Sequence, residues 1–440
     1  YTTLFRSASA FLVSPFDEAA LLCIDYVGEH TATWMGRGQG TRLQLISARN
    51  YPHSLGVFYS AITDYLGFLR ASDEYKVMGL ASYGEPEYLD DFRKIIQVRP
   101  DGFYDVDLSW MICHFAPGSR KGYFSKKFYD RFGPPRRKGE EIQRRHMNIA
   151  SSAQRVLEEA VLSLTARLHK ETGLTRLCMA GGVALNCSMN GRLLRESPFN
   201  EIFVQPAAGD DGIAIGAAFQ LYHQFAGTGR SFVMRDARLG PEFMDDSVRR
   251  FLEEAKIPYV VPSSLEAHTA RLIANGLIVG WFQGRAEFGP RALGARSILA
   301  DPTRPEMKDL LNKHVKHRED FRPFAPSCLE ERASEFFPGC TSSPFMLFVH
   351  PVEPSKRPLV PAITHVNGTA RVQTVSKDVN PRFYGVIKAF EAIKGVPMVV
   401  NTSFNVMGEP IVNTPADAVK CFYTTGIDAL VIGNCVVVKQ

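Results

Sequence analysis

The sequence predicts an α/β protein with two domains. Its 440 residues are enough for two domains of ordinary size. Short apolar segments typical of buried strands alternate with longer segments whose apolar residues recur at helical spacing, which is the order of an α/β fold. A polar, glycine-containing stretch at 226–245 separates two such series and predicts a linker. We therefore expect one domain over residues 1–235 and another over residues 245–440.

Composition narrows the class of protein. Hydrophobic residues make up 45% of the chain and charged residues 22%, as in globular proteins of aqueous compartments. A formal net charge of +5 is too small to indicate a nucleic-acid partner by itself. The eight cysteines show no CxxC spacing, no apolar run has the length of a membrane helix, and no signal peptide opens the sequence. These features predict reduced thiols, a cytoplasmic location and no membrane segment.

The first domain is predicted to open on a buried strand, residues 19–25 (AALLCID), which ends at Asp25. Residues 31–47 continue as short strands around a glycine-rich turn, and residues 54–69 form an amphipathic helix. Residues 151–170 give the clearest helix of the chain, with one apolar face, a serine to cap its start and a glycine to end it. Asp25 sits where open α/β sheets present ligand contacts, although a strand-end aspartate is also an ordinary turn residue.

Two turns in the first domain carry candidate ligand contacts. Gly181 and Gly182 follow a buried strand and allow the backbone to approach a nucleotide, although Gly-Gly pairs also occur in plain turns, and Asn186 is placed to hydrogen-bond a nucleotide. Asp210 and Asp211 precede a helix of small residues, where carboxylates either cap the helix or hold a cation. The elements here follow the order of the second half of an actin-like, ribonuclease H-type nucleotide fold: strand, glycine turn, helix, strand, Asp-Gly turn and helix. We expect that fold here.

Residues 115–145 are basic, aromatic and interrupted by proline and glycine. This mixture predicts a mobile surface segment, a flap over an acceptor substrate. A platform for single-stranded nucleic acid uses similar residues. Because no recognisable nucleic-acid module surrounds the segment, the flap is the favoured interpretation.

The second domain is organised around the stretch Gly284–Ser327. Its arginines and lysines are interleaved with glycines, prolines and aromatic residues rather than set along one polar helical face. Arginines held by such backbone are typical of a site for a multiply charged anion bound through forked hydrogen bonds, and a solvated loop with scattered ion pairs is the alternative. The stretch therefore predicts a site for a phosphate-rich small ligand. Its cationic residues are Arg285, Arg291, Arg296, Arg304, Lys308, Lys313, Lys316, Arg318 and Arg322.

A later strand of the same domain ends in polar side chains. Residues 397–401 (PMVVN) end at Asn401, and Ser403 and Asn405 follow at the carboxyl end of the strand. Ser403 lacks a GxSxG or SxxK context, so a hydrogen bond to a phosphate or carbonyl is a better role for it than nucleophilic attack.

Several motifs, in chain order, resemble those of the NodU/cephamycin/tobramycin family of O-carbamoyltransferases. They are SAFLVSPF, DEYKVMGLASYGEP, AGGVALNCSMNG, AAGDDGIAIGAA, GRAEFGPRALGARSILADP, NKHVKHREDFRPFAPS, HVNGTARVQTV and NTSFNVMGEPIV. The resemblance runs from Ser9 to the end of the chain. It implies an actin-like domain that transfers a carbamoyl group to a hydroxyl and a YrdC-like domain that makes carbamoyl-adenylate from carbamoyl phosphate and ATP.

The resemblance also implies roles for individual residues. Fixed cations in the YrdC-like domain would offset the repulsion between two polyanions and the charge developing at phosphorus, with Mg²⁺ accompanying ATP. The implied catalytic residues are Arg291, Lys316, Arg322 and Ser403. The implied carbamoyl phosphate and ATP-binding residues are Arg285, Arg296, Arg318, Arg371, Asn401 and Asn405. The implied adenylate contacts in the transfer domain are Gly181, Gly182, Asn186 and Asp211.

Two departures from the family pattern bear on activity. The family carries an HHxAH run just before SAF, which supplies histidine ligands for Fe²⁺ or a similar metal, whereas residues 2–6 here are TTLFR. Asp25 and Asp210, or its neighbour Asp211, match the remaining ligands, and two carboxylates alone hold a transition metal poorly. We therefore expect a chain that is incomplete at its N-terminus, with a foreign join among its first residues. The second departure is Asn367, where the family has aspartate.

The predicted function is O-carbamoyl transfer, driven by carbamoyl phosphate and ATP, to a hydroxyl of a small molecule such as an antibiotic, a glycoside or a nodulation factor. A nucleic-acid partner is disfavoured and membrane association is not expected. Two alternatives stay open: a tRNA-modifying or RNA-binding carbamoyl-transfer factor, and a non-catalytic remnant that only binds nucleotide.

Overall fold

The computed structural model describes residues 2–112 and 122–439. The chain divides into two compact units, Tyr1–Met234 and Arg235–Gln440. Both units mix helices and strands, so the predicted α/β class is confirmed. Within the described ranges, no helix combines the length and the apolar character that crossing a bilayer requires.

A mixed sheet forms the centre of the first unit. Its strands, with those of a small ribbon, are β1 (Glu18–Gly28), β2 (Thr31–Gln39), β3 (Arg42–Asn50), β4 (Ile96–Val98), β5 (Tyr104–Val106), β6 (Arg176–Ala180) and β7 (Glu201–Val204). Among the described residues the sheet has the order β3-β2-β1-β6-β7, and β4 pairs with β5 in the ribbon. β2 is antiparallel to both β1 and β3, whereas β1, β6 and β7 run parallel. The strand predicted over residues 19–25 therefore lies in the middle of the sheet.

Helices cover this sheet. They are α1 (Thr2–Phe11), α2 (Leu55–Tyr65), α3 (Glu74–Ala81), α4 (Leu89–Ile95), α5 (Lys126–Phe132), α6 (Arg144–Thr172), α7 (Cys187–Glu196) and α8 (Ile213–Ala226). α1 packs against β1, β6 and α8, and α2 and α6 pack against β1. Gly216 of α8 permits the close approach of α1, because a Cβ at that position would overlap the carbonyl oxygen of Phe5.

The boundaries of α6 follow from local hydrogen bonds. Apolar spacing predicts a helix over residues 151–170, but α6 begins at Arg144. The side chains of Gln143 and His146 form a capping box that satisfies free N–H groups at this earlier start. Gly173 ends the helix with a φ of +68°, as the sequence predicts.

The described part of the predicted flap is packed. Phe124, Phe128 and Phe132 are each at most 3% exposed. The ring centroids of Phe124 and Phe128 are 3.6 Å apart, and those of Phe128 and Phe132 are 4.4 Å apart. These aromatic side chains form core rather than a mobile cover or a stacking platform for nucleic acid, which corrects the prediction for residues 122–145. Residues 115–121 of the predicted flap lie outside the described residues.

The second unit is built on a larger mixed sheet. Its strands are β8 (Val279–Phe282), β9 (Arg296–Ala300), β10 (Ala325–Leu329), β11 (Val349–Pro351), β12 (Thr369–Arg371), β13 (Gln373–Val375), β14 (Met398–Ser403), β15 (Ala429–Ile432) and β16 (Cys435–Val438). In the described part of the unit the order is β13-β10-β14-β9-β8-β15-β16, and β11 pairs with β12. β10 is parallel to β13 and β8 to β15, while the other neighbours are antiparallel.

The helices of the second unit pack onto this sheet around one apolar core. They are α9 (Asp245–Glu254), α10 (Leu265–Ala274), α11 (Met307–Leu310), α12 (Ala333–Phe336), α13 (Pro381–Lys394) and α14 (Pro415–Tyr423). α10 and α13 lie side by side. Trp281 is fully buried in the core, and its indole N–H donates to the Gly294 oxygen at 2.9 Å. This bond connects the core to the loop between β8 and β9, which carries the first arginines of the stretch Gly284–Ser327.

Candidate active site

Lys316 ends a π-helical turn in the second unit. The turn covers Leu311–Lys316, directly after α11, and His317 leaves it in a left-handed conformation with a φ of +48°. A non-glycine residue in this conformation stores strain, and π-helical turns are frequent at functional sites. Lys316 is only 3% exposed, so the turn buries a group that is ordinarily charged.

The side chain of Lys316 meets the carboxyl end of β14. Its Nζ donates to Ser403 Oγ at 3.2 Å, to the main-chain oxygen of Ser403, and to both the main-chain oxygen and Oδ1 of Asn405 at 2.9 Å. Ser403 Oγ in turn donates to Asn405 Oδ1 at 2.6 Å. Three predicted site residues from two distant motifs therefore form one cluster, which we call the Lys316 cluster.

Arg318 and Arg322 act on Lys316 through their charge. Burial, and then the charges of Arg318 and Arg322, hold the pKa of Lys316 well below its ordinary value. Arg318 is fixed by a hydrogen bond of 2.7 Å from its Nε to Asn312 Oδ1, and Arg322 lies 3.9 Å from the carboxylate of Glu319. A bound anion would offset this concentration of positive charge and favour the protonated form of Lys316.

Asn401 joins four motifs in a buried hydrogen-bond network. It is 1% exposed, and its Nδ2 donates to the Ala292 oxygen at 3.2 Å, to Ser327 Oγ at 2.9 Å and to Gln373 Oε1 at 3.0 Å. Ser327 Oγ also donates to Gln373 Oε1 at 2.5 Å, and Gln373 Nε2 donates to the Leu293 oxygen at 2.9 Å. The network thus holds the loop between β8 and β9, which we call the arginine-rich loop, against β10, β13 and β14.

Glu287 fixes the loop that carries Arg291. Its carboxylate accepts hydrogen bonds from three main-chain N–H groups within residues 293–296, at 2.7, 2.8 and 3.1 Å. Successive N–H groups of this kind form a concave cradle for an anion, here filled by a side chain of the protein itself. Arg291 is half-buried and precedes Ala292, whose oxygen bonds to the Asn401 network. Arg291 is therefore held at the edge of that network.

Arg371 ends β12 beside His365 of the HVNGT turn. Burial and the charges of Arg371 and Lys308 lower the pKa of His365 to about 3. The imidazole is half-buried; its Nδ1 lies 3.3 Å from Thr369 Oγ1, and its Nε2 is enclosed without a hydrogen-bond partner among the described residues. Thr369 Oγ1 also donates to Asn367 Oδ1 at 2.7 Å. His365 is therefore neutral at physiological pH, and the positive charge beside it belongs to Arg371.

Arg296 and Arg285 lie in different surroundings, one buried and one exposed. Arg296 is fully buried; its guanidinium donates to the Gln283 oxygen at 3.0 Å and lies 3.6 Å from the ring centroid of Phe282. Burial lowers the pKa of Arg296 to about 10. Its N–H groups support the loop from within, and its predicted contact with a phosphate stays a prediction. The side chain of Arg285 is 57% exposed and lies 3.6 Å from the carboxylate of Glu242.

The glycine turn of the first unit lies against the end of β1. Gly181 has a φ of +88°, and a Cβ there would overlap the main chain of Ile24, so only glycine fits. Asn186 follows the turn and caps α7, with its Oδ1 accepting an N–H of that helix at 3.0 Å. The Asn186 amide also pairs with the amide of Gln154 at 3.0 and 2.9 Å. Asn186 therefore serves as a helix cap in this structure, and its predicted contact with an adenylate stays a prediction.

Asp25 and Asp210 both bind an arginine side chain. Asp25 Oδ1 accepts the N–H of Gly182 at 3.1 Å, and its Oδ2 lies 2.5 Å from the guanidinium of Arg6. The other terminal nitrogen of Arg6 pairs with Asp210. Arg6 is 4% exposed, whereas Asp210 and Asp211 are exposed. The carboxylates that match family metal ligands are thus joined by a guanidinium.

These residues do not fit a metal ion. Within residues 2–112 and 122–439, no three histidine, cysteine, aspartate or glutamate side chains converge into a metal-binding group. Arg6 supplies the positive charge beside Asp25 and Asp210, and its nitrogen atoms are not metal ligands. The side chains beside Asp25 and Asp210, among the described residues, therefore do not support the Fe²⁺ site that the family pattern implies.

Sequence reasoning missed four residues that shape these sites. Ser327 and Gln373 lie inside two of the quoted motifs, and their membership of those motifs was the available signal. Glu287 is the only acidic residue between Gly284 and Ala300, which was a weaker signal. Arg6 had no signal beyond its position in the altered run at residues 2–6.

Comparison with known proteins identifies the family. The family model described as Carbamoyltransferase N-terminus matches residues 4–219, and the one described as Carbamoyltransferase C-terminus matches residues 270–439. The chain belongs to the carbamoyltransferase family. The predicted resemblance and the predicted enzyme class are both confirmed.

Relatives of this carbamoyltransferase align with nearly all of it. The uncharacterised protein sll1178 of Synechocystis sp. is 45% identical over 99% of this chain and 75% of its own length. Nodulation protein NolO of Bradyrhizobium diazoefficiens is 41% identical over 99% of this chain and 78% of its own length. Nodulation protein NolNO of Sinorhizobium fredii is 41% identical over 99% of this chain and 63% of its own length. This carbamoyltransferase chain thus spans only part of each relative.

A distant structural likeness was also found. The crystal structure of T. kodakarensis HypF is 14% identical, with a TM-score of 0.24 over 50% of this chain and 36% of that chain. A score this low supports no statement about the carbamoyltransferase fold.

Proposed function

We propose that this carbamoyltransferase acts on oxygen, using carbamoyl phosphate and ATP with Mg²⁺ to carbamoylate a hydroxyl of a small molecule. In the second unit, water releases phosphate from carbamoyl phosphate, and the resulting carbamate oxygen attacks the α-phosphorus of ATP as pyrophosphate leaves. In the first unit, the acceptor hydroxyl attacks the carbamoyl carbon of the adenylate, AMP leaves, and the hydroxyl proton passes to solvent. Atoms and charges balance across the three steps.

The observation that carries this proposal is the Lys316 cluster. Arg318 and Arg322 concentrate positive charge at the end of a strand, beside a buried lysine whose lowered pKa rises again when an anion binds and favours its ammonium form. Catalysis of phosphoryl and adenylyl transfer depends mainly on such fixed charge, because two polyanions must approach and further negative charge develops at phosphorus. Ser403 and Asn405 hold Lys316 in place through their side-chain oxygen atoms.

The Asn401 network supports the assignment of the donor. Asn401 Oδ1 is buried without a hydrogen-bond partner among the described residues. The amide of a carbamoyl group is an N–H donor that would satisfy this oxygen, whereas a simple phosphate has no such donor. Two members of this network, Ala292 and Gln373, lie close in sequence to Arg291 and Arg371. These two arginines would bind the phosphate end of the donor.

The topology of the first unit supports an actin-like, ribonuclease H-type transfer domain. Its sheet order β3-β2-β1-β6-β7 combines an antiparallel meander with two parallel strands on the other side of β1. Ligands in sheets of this class bind at the carboxyl ends of the parallel strands. The pairing of β1 with β6 ends at Cys23 and Ala180, and Asp25 and the glycine turn follow directly. For the second unit we propose the YrdC-like role of adenylate formation.

Carbamoyl-phosphate-dependent exchange of labelled pyrophosphate into ATP tests the proposal. The wild-type protein should catalyse exchange only when carbamoyl phosphate and Mg²⁺ are both present. Lys316→Ala should lower the exchange rate at least about 100-fold, because a fixed positive charge in a water-poor site is lost. Arg371→Ala should mainly raise the KM for carbamoyl phosphate.

Lys388→Ala is the matched control, since Lys388 is an exposed lysine of α13 that pairs with Glu391. Its exchange rate should equal that of the wild type. Exchange that is undiminished in Lys316→Ala would overturn the role of the Lys316 cluster. Wild-type exchange that ignores carbamoyl phosphate would overturn the proposed donor.

A further inference from the structure

The side chain of Arg6 is fixed where the two candidate metal-binding carboxylates meet. It is 4% exposed and lies 2.5 Å from Asp25 Oδ2, and its other terminal nitrogen pairs with Asp210. The guanidinium thus forms ion pairs with two carboxylates at once, and the nitrogen that faces Asp210 also donates a charge-assisted hydrogen bond. Asp25 is 6% exposed, so most of its charge must be balanced inside the protein.

Helix packing leaves Arg6 little freedom to move away. α1 is pressed against α8 at Gly216, and Gly212 brings the start of α8 close to Ser9, because a Cβ there would lie 3.3 Å from Ser9 Oγ. Ala8, Ala10 and Phe11 of α1 are buried in the same unit. A metal ion that bound Asp25 and Asp210 would therefore have to expel a buried arginine from a packed helix, and the expelled charge would have no place in the core.

We propose that the Arg6 guanidinium is the resident cation of this site, so that the first unit binds no metal ion at Asp25 and Asp210. The guanidinium neutralises the carboxylates and, through Asp25, holds the glycine turn at Gly182. The inference rests on the proposed function only in calling the first unit the transfer unit. It states that transfer in this chain proceeds without the metal that the family pattern implies.

The helix itself offers a sharp test. Thr2 and Arg6 lie one turn apart on α1, and both face Gly28, since a Cβ there would lie 2.8 Å from Thr2 Oγ1 and 3.1 Å from the Arg6 guanidinium. Two histidines spaced by four residues on one helical face are a common metal-binding pair. Thr2→His/Arg6→His would therefore place two imidazoles beside Asp25 and Asp210.

The first measurement is the metal content of the full chain after equilibrium dialysis against Zn²⁺, or against Fe²⁺ in the absence of oxygen. The second is the melting temperature with and without each metal. The wild-type protein should retain less than about 0.1 metal ion per chain, and its melting temperature should not respond to metal or to chelator. Thr2→His/Arg6→His should retain about one ion per chain and gain stability with metal. Thr2→His/Arg6→Lys, the matched control that keeps the positive charge, should stay metal-free.

Each outcome decides the inference. About one metal ion per wild-type chain, or a wild-type melting temperature raised by metal, would overturn it. A folded Thr2→His/Arg6→His variant that binds no metal would also overturn it, because Arg6 would then not be what excludes the ion. If that variant does not fold, the melting temperatures of Arg6→Lys and Arg6→Met are compared. Arg6→Met loses the buried charge and should lower the melting temperature by about 10 °C more than Arg6→Lys does. Equal losses would refute the role of Arg6 as the cation of this site.

Exchange of pyrophosphate into ATP separates this inference from the proposed function. Arg6→Lys leaves the second unit unchanged, so its exchange rate should match that of the wild type. Failure of exchange in the wild type would contradict the proposed function and leave the metal measurements valid.

Discussion

Replacement of Asn401 by alanine tests how the candidate active site of the second unit is held together. The Asn401 amide donates to Ala292, Ser327 and Gln373, which belong to three different motifs. Alanine keeps the β14 backbone intact and removes only these bonds. The expected result is a loss of stability together with a loosened arginine-rich loop.

The magnitude follows from the three bonds. Each is worth about 0.5–1.5 kcal/mol net, and a buried oxygen left without a donor costs about 1–3 kcal/mol. Ser327 Oγ and Gln373 Oε1 keep their mutual bond of 2.5 Å, so the Ala292 oxygen bears most of the loss. Asn401 Oδ1 has no partner among the described residues, and its removal offsets part of the cost. We expect the free energy of unfolding to fall by about 3 kcal/mol.

Urea denaturation measures this loss, and pyrophosphate exchange measures the KM for carbamoyl phosphate in the same preparation. The KM should rise at least about 10-fold, because Arg291 is no longer held beside the network. Asn275→Ala is the control: Asn275 is an exposed asparagine at the end of α10, and its loss should cost less than about 0.5 kcal/mol. A loss below about 1 kcal/mol in Asn401→Ala, with an unchanged KM, would refute the network as the support of the site.

Two further predictions concern protonation. Folding lowers the pKa of His365 to about 3. As pH falls below about 6.5, the imidazole is therefore protonated in the unfolded chain before it is protonated in the folded protein. The contribution of His365 to the free energy of unfolding should accordingly drop by up to about 2.5 kcal/mol between about pH 7 and 4.5. Urea titrations should show that the free energy of unfolding of His365→Gln falls less steeply with acid than that of the wild type. The control is His30→Gln, which removes an exposed imidazole and should behave as the wild type does. Equal slopes in all three proteins would contradict the prediction. The lowered pKa of Lys316 predicts proton uptake when ATP or carbamoyl phosphate binds at pH values around that lowered pKa, because the anion favours the ammonium form. Calorimetry in buffers of different ionisation enthalpy measures this uptake, and an equal uptake in Lys316→Met would show that another group is responsible.

Local patterns predicted the elements and part of the candidate site. Helical spacing located α6, and a short apolar run located β14, because periodicity and capping depend on residues close in sequence. Long motifs located Lys316, Ser403 and Asn405, which the structure brings into one cluster. These residues were within reach of sequence reasoning because each lies at the end of a predictable element or inside a recognisable motif.

The orientation of charged side chains was not predictable in the same way. Arg296 stands opposite Phe282 in the β8–β9 pair, and this register turns its guanidinium towards main-chain oxygens. A sequence shows that an arginine is present but not which side of a sheet it faces, since a shift of one residue reverses the side. Asn186 raised the same difficulty, because a helix cap and a ligand contact require the same amide.

Arg6 depended wholly on tertiary structure. Its two carboxylate partners lie 19 and 204 residues further along the chain. The approach of α1 to α8, set by Gly216, brings the three side chains together. No local pattern records such an approach, so nothing in the sequence indicated that the Arg6 side chain lies between the two carboxylates.

Glu287 gives the arginine-rich loop its shape before any substrate arrives. Because this carboxylate already occupies the N–H cradle of residues 293–296, the loop does not depend on an external phosphate for order. A substrate that binds beside it therefore loses little affinity to the entropy of arranging the loop. The association rate of the donor should accordingly be set by diffusion and charge rather than by a slow rearrangement of the protein.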